Sequence, residues 1–206
     1  MRKLLIIGAG GHGSVVADAA QESGEWEEIA FLDDKFPDSS SNGVWQIIGT
    51  EAETTLFKDE YDDLIVAIGD SEKRLGLLEK YKHKGFKLVN VIHPSAYVSE
   101  NALLDVGCVV FANAVININT KIGAGSIVNT SSSVDHDCEL GDGVHVSPGA
   151  HLAGNVRVGK LSWIGIGSCV THGVTIGKGV NVGAGAVVIN DLPDDITAIG
   201  VPAKQK

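Results

Sequence analysis

The residues best suited to acid–base chemistry lie in one short segment, SSVDHDCELGDGVHVSPGA, which holds two histidines nine residues apart. The first, His136, is flanked by Asp135 and Asp137, and the second is His145. A neighbouring carboxylate orients an imidazole and supports its protonated form, which is what a general base requires. The spacing alone favours a plainer interpretation, an exposed surface histidine. The segment therefore needs a structural context before it indicates catalysis.

A second motif lies at the N-terminus, where GAGGHG (residues 8–13) fits the G-x-G-x-x-G pattern that holds a dinucleotide pyrophosphate. The predicted strand EIAFLDD ends in Asp33 and Asp34, about 20 residues after the glycines, which completes that fingerprint. The segments DLIVAIGD and KLVNVI, however, complete only a four- or five-stranded sheet before residue 92. Because a dinucleotide fold needs two mononucleotide halves, residues 1–91 are expected to hold a single nucleotide.

The rest of the chain is a repeat. An aliphatic residue falls at every sixth position from Ile92 to Val188, and four positions later, from Ala96 to Ala186, the residue is small or Val. This is the hexapeptide β-helix period, in which stacked repeats build one core together. The predicted three-sided coils span residues 92–109, 110–127, 128–145, 146–163 and 164–181, with a partial sixth.

Glycine also recurs every 18 residues, at Gly123, Gly141, Gly159 and Gly177. We attribute this column to one corner of each coil that needs a backbone tolerant of positive φ. The interior of such a prism is too narrow to admit a substrate, so reactive groups must lie on outward positions. His136 and His145 both fall on outward positions.

Two other chemistries compete for these residues. A covalent thioester intermediate needs a reactive thiol, but Cys108 and Cys138 fall on inward positions and Cys169 has no base beside it in the sequence. A zinc site would need His136 and His172, which two coils separate by about 10 Å, too far to share one ion. We therefore expect neither a thiol intermediate nor a metal.

The composition excludes several partners. A net charge of −10 argues against nucleic acid and anionic membranes, which need a cationic surface. No stretch approaches the roughly 18 apolar residues needed to cross a bilayer, and the short apolar run before residue 8 is interpreted as a buried strand rather than an export signal. Three cysteines without CxxC spacing indicate reduced thiols in a cytoplasmic protein.

Several segments carry a resemblance to a known family. The segments IGAGSIV, IGKGVNVGAGAVV and GVPAK resemble the left-handed β-helix acyltransferases. The N-terminal IIGAGGHG, FLDD and AIGDSEKR narrow the resemblance to the PglD/NeuD-like nucleotide-sugar acetyltransferases. It covers the whole chain and implies an α/β plus β architecture. A small Rossmann-like domain at residues 1–91 would bind the nucleotide sugar, and a left-handed parallel β-helix at residues 92–206 would carry acetyl transfer and a short C-terminal tail.

The resemblance also implies roles at the reacting centre, with acetyl-CoA as co-substrate and no metal. The family's catalytic histidine and the acidic residue after it match His136 and Asp137, the general base and the residue that holds its ring. Asp135 has no match and is expected to be solvated. His145 would line the thioester pocket, and the Gly154 N–H would donate to the oxyanion, with a close-packing role as the alternative for Gly154. The residues assigned to acetyl-CoA are His145, Gly154, Lys160, His172, Lys178 and Ala184.

Lys160 and Lys178 are assigned to the CoA phosphates because they are 18 residues apart and should stack on adjacent coils, about 4.8 Å apart. A purely solubilising role is the alternative for both lysines. Acceptor residues follow from the resemblance in three groups. Gly10, His12 and Gly13 lie near the phosphates or sugar, Asp33, Asp34 and Lys35 around the base and ribose, and Gly69 and Arg74 at the carboxyl edge of the next strand. The alternative for Arg74 is an exposed helix charge.

The implied reaction is transfer of acetyl from acetyl-CoA to the amino group of a nucleotide-linked sugar, specifically a UDP-4-amino-4,6-dideoxy sugar, for bacterial glycan biosynthesis. Because members of the family are trimers, a homotrimer with active sites between subunits is expected. Two alternatives stay open. One is an O-acetyltransferase acting on a sialic-acid-type sugar. The other is a noncatalytic nucleotide-sugar binder, against which the intact set of His136, Asp137 and His145 argues.

Overall fold

The computed structural model describes residues 2–206, and the chain divides into two units, Met1–Pro94 and Ser95–Lys206. Over residues 2–206, no helix has both the length and the apolar character to span a membrane.

The first unit contains a six-stranded sheet in the order β3-β4-β2-β1-β5-β6. Its strands are β1 (Lys3–Ile7), β2 (Glu28–Leu32), β3 (Ser41–Asn42), β4 (Trp45–Gly49), β5 (Asp63–Val66) and β6 (Lys87–Leu88). Neighbouring strands are parallel except for the antiparallel pair β3 and β4. The sequence predicted only four or five strands, because it missed this short hairpin, which extends the β2 edge of the sheet.

Two helices and a 3-10 turn accompany this sheet: α1 (Gly11–Ser23), α2 (Ser71–His83) and the 3-10 helix Glu51–Phe57. The strand β1 is buried from Leu4 to Ile7, as its uninterrupted apolar run requires. Helix α1 begins directly after the first glycines, with Gly10 as its N-cap. A strand–turn–helix junction therefore places the GAGGHG backbone at the carboxyl edge of the sheet, where phosphates bind in such folds. A last short strand, β7 (Val91–Ile92), follows β6.

The second unit is a three-sided parallel β-helix built almost entirely from two-residue strands. One face holds β10 (Val109–Val110), β13 (Ile127–Val128), β16 (His145–Val146), β19 (Trp163–Ile164), β22 (Asn181–Val182), β24 (Thr197–Ile199) and the antiparallel β25 (Lys204–Gln205). A second face holds β8 (Tyr97–Val98), β11 (Val115–Ile116), β14 (Ser133–Val134), β17 (His151–Leu152), β20 (Cys169–Val170) and β23 (Val187–Val188). The third holds β9 (Leu103–Leu104), β12 (Lys121–Ile122), β15 (Glu139–Leu140), β18 (Arg157–Val158) and β21 (Thr175–Ile176).

From Val110 onward the predicted inward positions form the core of this helix, whereas Ile92, Val98 and Leu104, predicted inward on the first coil, are only half-buried. Each aliphatic position from Val110 to Val188 is at most 3% exposed, and the small positions from Cys108 to Ala186 are at most 5% exposed. Successive coils pair with a register of 18 residues, for example Ser133 with His151. Buried hydroxyls bond to backbone carbonyls, as Ser162 Oγ does to Gly177 O at 2.7 Å. The small positions therefore fit the narrow corners without leaving polar groups unpaired.

The explanation given for the glycine column was wrong. Positive φ recurs every six residues, at Gly107, Asn113, Asn119, Gly125, Ser131, Asp137, Gly143, Gly149, Asn155, Leu161, Gly167, Gly173, Gly179 and Gly185. The glycines that recur every 18 residues are not in this set. A Cβ on Gly141 would lie 2.6 Å from the backbone nitrogen of Lys160 on the next coil, and Gly159 meets the same obstacle at Gly177. That column is glycine because adjacent coils approach each other too closely for a side chain.

Candidate active site

His136 lies at the corner between β14 and β15, on the outside of the β-helix. Asp137, the next residue, has φ 60° and so occupies the left-handed turn of that corner. Asp is one of the few side chains that accepts this conformation at small cost. The turn brings the carboxylate back beside the preceding imidazole, and Asp137 Oδ2 lies 2.8 Å from His136 Nδ1. The sequence pattern His-Asp thus becomes a contact because it falls on a coil corner.

The electrostatics of this pair suit a base that accepts and releases a proton. The hydrogen bond with Asp137 raises the pKa of His136, and the nearby Asp135 charge adds to the increase. The pKa of Asp137 is lowered by the hydrogen bond with His136 and by one from Asn119. The carboxylate therefore stays ionised while the ring gains and loses its proton.

Gly154 lies one coil beyond His136 and provides the space that the ring occupies. A Cβ on Gly154 would come within 2.5 Å of His136 Cε1 and 2.6 Å of Nε2. Beyond Gly154 is His172, whose ring centroid is 6.4 Å from that of His136. The expected separation of about 10 Å, which is two strand spacings, was too long because the His136 ring leans across the missing side chain. Within residues 2–206, however, no three His, Cys, Asp or Glu side chains are grouped to hold a metal ion.

Asp135 is not simply solvated, as the sequence had suggested. Its Oδ1 accepts hydrogen bonds from the backbone N–H of His136 at 2.8 Å and from Asn117 Nδ2 at 2.8 Å. These two bonds lower the pKa of Asp135. The sequence did not identify Asn117 and Asn119 as part of the site. Each lies 18 residues, one coil, before the aspartate that it contacts, so the coil period could have indicated both contacts.

His145 points out of the prism as predicted but is covered, with only 7% of its surface exposed. Its Nε2 lies 3.1 Å from Asn129 Nδ2, and its ring centroid is 4.0 Å from that of Trp163 on the adjacent coil. The strand that carries His145, β16, belongs to a different face from β14 and β15. One chain therefore does not bring His145 to the corner that holds His136.

The residues assigned to the CoA phosphates do stack. Lys160 and Lys178 occupy one column, since the Gly179 N–H donates to Lys160 O at 2.9 Å, and both lysines are exposed. The backbone N–H of Lys178 donates to Asp194 Oδ1.

Two other residues assigned to acetyl-CoA lie on other corners. Ala184 is exposed one coil beyond Gly165, and a Cβ on Gly165 would lie 2.8 Å from Ala184 N. His172 is exposed on the same corner column as His136.

In the first unit, the glycines of GAGGHG divide into two kinds. Gly10 is exposed, and nothing lies within 4 Å of a Cβ built on it, so a ligand can approach its backbone. A Cβ on Gly13 would lie 2.1 Å from Gly8 O, so this glycine allows α1 to pack on β1. Position 13 therefore requires glycine for the packing of α1, and not to let a phosphate approach the backbone. Between the two glycines, burial lowers the pKa of His12 to about 4, and the charge of Arg74 contributes.

The acidic end of β2 shapes a concave pocket. Asp33 Oδ2 accepts from the Ala9 N–H at 2.7 Å, and Asp33 Oδ1 accepts from the Lys35 N–H at 3.0 Å. This carboxylate therefore organises the loop that follows the strand. Asp34 and Lys35 are exposed, and the three residues share the lining of a pocket with Gly8, Glu51, Ile68, Lys73 and others.

The exposed-charge alternative for Arg74 is wrong, because the residue is only 1% exposed. Its guanidinium donates to Ile68 O at 2.7 Å, to Gly69 O at 2.9 Å and to Ser71 Oγ at 3.1 Å. These bonds tie the carboxyl end of β5 to the first turn of α2. Gly69 itself is exposed, with open space where a Cβ would lie.

The cysteines are all free. Cys108 and Cys138 are buried on inward positions, and burial raises the pKa of the Cys138 thiol. Cys169 is exposed and pairs in register with His151 on the neighbouring strand, a base that the linear sequence did not reveal. The His151 Nδ1, however, lies 2.8 Å from Ser133 Oγ.

Comparison with known proteins gives matches over both units. The family description "PglD N-terminal domain" matches residues 3–81. The acetyltransferase domain of PglB from Neisseria gonorrhoeae FA1090, solved with acetyl coenzyme A, is 46% identical, with a TM-score of 0.96 over 100% of this chain and 99% of that one. PerB from Caulobacter crescentus, solved with CoA and GDP-perosamine, is 41% identical, with a TM-score of 0.94 over 100% and 98% of the two chains.

A curated relative matches over a shorter length. UDP-N-acetylbacillosamine N-acetyltransferase of Bacillus subtilis (strain 168) is 36% identical over 113 residues, which are 54% of this chain and 52% of that protein. The chain thus spans about half the length of this relative. The whole-chain structural matches confirm the predicted fold, a small Rossmann-like half followed by a left-handed β-helix. The chain belongs to the PglD-like family of nucleotide-sugar N-acetyltransferases.

Proposed function

We propose that this protein transfers acetyl from acetyl-CoA to the amino group of a nucleotide-linked sugar, with His136 as general base. The single observation that carries the proposal is the contact of 2.8 Å between His136 Nδ1 and Asp137 Oδ2 at an exposed coil corner. The carboxylate fixes the ring so that Nε2 is the nitrogen available to an acceptor.

The proposed step is direct. The amine nitrogen of the sugar attacks the thioester carbonyl carbon, and its proton passes to His136 Nε2. The tetrahedral intermediate collapses with loss of the CoA thiolate, which takes the proton from the imidazolium. Asp137 stabilises the positive ring between these two transfers, and such a base contributes about 10²- to 10⁴-fold to the rate.

Gly154 supports this step in two ways. The glycine leaves the space in which the His136 ring lies. We assign its backbone N–H to the oxyanion of the intermediate, because a donor beside the base stabilises charge as it develops. The close-packing alternative for this glycine and the oxyanion role are therefore compatible at one position.

A homotrimer with active sites between subunits completes the donor site. His145 is assigned to the thioester pocket but lies on a different face from the strands that flank His136, so we assign it from a neighbouring subunit. The two other faces differ in charge. Outward residues of the second face are Tyr97, Val115, Ser133, His151, Cys169 and Val187, whereas the third face carries Lys121, Glu139 and Arg157. The less charged face is the better candidate for a subunit contact.

Acetyl-CoA would lie in a groove between subunits, because Lys160 and Lys178 lie on the corner between the third and first faces, away from the corner that holds His136. Lys160 and Lys178 are assigned to its phosphates, and His172 and Ala184 to the walls of the groove. The lysine column lies on an acidic chain with a net charge of −10, so a local cationic site is needed to meet a polyanion. Binding at these lysines should weaken as salt is added.

The acceptor is assigned to the first unit, with one nucleotide at the carboxyl edge of the sheet. We assign Gly10, His12 and Gly13 to the phosphate side and Gly69 to the opposite edge, while Asp33, Asp34 and Lys35, assigned to the base and ribose, line the pocket. Arg74 is buried and would act by fixing the Gly69 backbone, to which it donates. A UDP-4-amino-4,6-dideoxy sugar, used in bacterial glycan biosynthesis, is the proposed substrate. PerB, with GDP-perosamine bound, makes a GDP-linked amino sugar the competing acceptor.

The proposed location of the protein is the cytoplasm, because its three free cysteines suit a reducing compartment.

Release of free CoA with UDP-, GDP- and dTDP-linked amino sugars tests the proposal. We expect CoA release with at least one amino sugar, and with the matching hydroxy sugar far less. Preferential release with a hydroxy acceptor of the sialic-acid type would favour O-acetyl transfer. Nucleotide-sugar binding without CoA release from any acceptor would indicate a noncatalytic binder and would overturn the proposal.

A further inference from the structure

The geometry points to Asn119 as a positioning residue for His136, acting through Asp137, with Asn117 as its counterpart on the other side of the histidine. The inference rests on the proposed function, since it concerns the same base. Neither asparagine belongs to the residues assigned above to acetyl-CoA or to the nucleotide sugar.

Asn119 occupies the same corner as Asp137, one coil earlier. Its Nδ2 donates to Asp137 Oδ1 at 3.0 Å, while the second carboxylate oxygen, Oδ2, faces His136 Nδ1 at 2.8 Å. The asparagine therefore occupies one oxygen and leaves the other for the imidazole. A carboxylate held at one oxygen loses most of its freedom to rotate about χ2, a torsion that is otherwise broad.

Asn117 does the same for the residue on the other side of His136. Its Nδ2 donates to Asp135 Oδ1 at 2.8 Å, and that oxygen also accepts the backbone N–H of His136. Thr120 Oγ1 donates to Asp135 O at 2.7 Å. The coil before the histidine thus fixes both the backbone and the ring of His136 from three side chains.

The backbone at Asn119 explains why an amide side chain is suited to this corner. Asn119 has φ 62°, and Asn is among the few residues that adopt this conformation readily. Asp would also tolerate the turn, but it would face the Asp137 carboxylate with a second negative charge. The position therefore requires a left-handed turn and a hydrogen-bond donor together, and Asn supplies both.

The chain offers a matched control at Asn113. This residue is an exposed asparagine with φ 57°, on a different corner of the same β-helix. Glycine accepts the left-handed turn without strain, so Asn119→Gly and Asn113→Gly remove the two amides with equal effect on the backbone. Both variants should stay folded, with Asn119→Gly melting at a slightly lower temperature because it alone loses a side-chain hydrogen bond.

The first measurement is kinetic. We expect Asn119→Gly to lower kcat about tenfold, the loss expected of a hydrogen bond to a charged group, with KM for acetyl-CoA little changed and Asn113→Gly at the wild-type rate. Asn119→Asp, which replaces the donor by a charge, should lose more. In an Asp137→Ala background the Asn119→Gly change should have almost no further effect, because the residue through which it acts is gone. Full kcat in Asn119→Gly, or an equal loss in both backgrounds, would overturn the inference.

The second measurement does not depend on activity. ¹⁵N NMR of the imidazole reports which ring nitrogen carries the proton, and we expect neutral His136 to hold it on Nδ1 in the wild type and to populate both tautomers in Asn119→Gly. The titratable groups around the ring, Asp135, Asp137 and His172, are the same in both proteins. An unchanged tautomer ratio would contradict the positioning role. A changed ratio in a protein that acetylates no acceptor would support the positioning of the ring and reject the proposed function alone.

Discussion

The His136 ring occupies the space where a side chain of Gly154 would lie, since a Cβ on that glycine would be 2.5 Å from His136 Cε1. The two residues are 18 positions apart in sequence and occupy the same corner of adjacent coils. Because Gly154 has no side chain, the imidazole of His136 on the preceding coil can occupy that space. This relationship couples the identity of a glycine to the orientation of the proposed base.

Gly154→Ala should therefore reduce activity much more than stability. The added methyl group would push the ring away from its position over Gly154, and a displacement of about 1 Å at a reacting group can cost on the order of 10²-fold in rate. The comparison is kcat and the melting temperature of Gly154→Ala against Gly76→Ala, in which the methyl group enters open space on α2. Wild-type kcat in Gly154→Ala would show that the ring orientation is not essential.

Asp137→Asn should change the pH dependence of kcat/KM. The base acts when deprotonated, and Asp137 raises the pKa of His136, so the acidic limb of the wild-type profile should lie above the ordinary histidine value. An amide cannot stabilise the imidazolium in the same way, so the limb should move to lower pH while the maximal rate falls. Glu100→Gln removes one exposed charge elsewhere on the β-helix and should leave the limb unmoved. A limb at the same pH in Asp137→Asn would contradict the assigned pair.

The first unit should lose stability when Asp63 is removed. This carboxylate is 1% exposed and accepts from Arg2 Nε at 2.7 Å and Trp26 Nε1 at 2.7 Å, with Lys87 Nζ 2.9 Å away. Arg2 and Lys87 are themselves partly exposed, so losing this buried carboxylate and its hydrogen bonds should cost about 1–3 kcal/mol, and Asp63→Ala should unfold at lower denaturant concentration. The exposed Asp59→Ala is the control. Equal unfolding free energies for the two variants would show that the network contributes nothing.

The same carboxylate predicts an acid-sensitive contribution to stability. Burial alone would raise the pKa of Asp63, but Lys87, Trp26 and Arg2 outweigh it and the pKa is lowered. A lowered folded-state pKa means that the stabilisation is complete above the unfolded-state value near 4 and is lost as the pH falls through the folded-state value. The stability difference between wild type and Asp63→Asn should accordingly narrow below about pH 4.

Leu161→Gly should raise stability. Leu161 has φ 64°, a conformation in which a bulky side chain is strained, and it shares its corner column with Gly143 and Gly179. Replacing it should stabilise the β-helix by roughly 0.5–1 kcal/mol, the strain relieved less the entropy cost of glycine. The measurement is the free energy of unfolding of Leu161→Gly, determined by chemical denaturation. The control is Ser131→Gly, because Ser131 is a less bulky residue on a similar corner, with φ 55°. A loss of stability would mean that the leucine side chain makes a contact worth more than the strain.

The sequence predicted the β-helix well because its period is a direct record of which side chains point inward. Every aliphatic position from Val110 to Val188 is buried, as expected. The reason for the glycine column could not be derived in the same way, because the close approach at Gly141 involves backbone atoms 18 to 19 residues away. Likewise, the distance between His136 and His172 depends on how one ring leans over a glycine, which residue spacing does not report.

The site was predicted less completely than the fold. The pair His136 and Asp137 is local in sequence, so a motif could indicate it. The contacts of Asn117 and Asn119 required the exact coil register, which relates one turn to the next. The alternative of an exposed charge at Arg74 rested on the rule that a charged residue near a helix start is ordinarily solvated. Here three oxygen atoms accept hydrogen bonds from the guanidinium, so the residue can be buried.

The most direct test of the central claim is acetyl transfer to nucleotide-linked amino sugars by wild-type protein and His136→Ala, followed by CoA release and by mass of the sugar product. We predict an N-acetylated sugar with the wild type and a loss of about 10²-fold or more in kcat with His136→Ala, with both proteins equally folded. Transfer at the wild-type rate by His136→Ala would contradict the account.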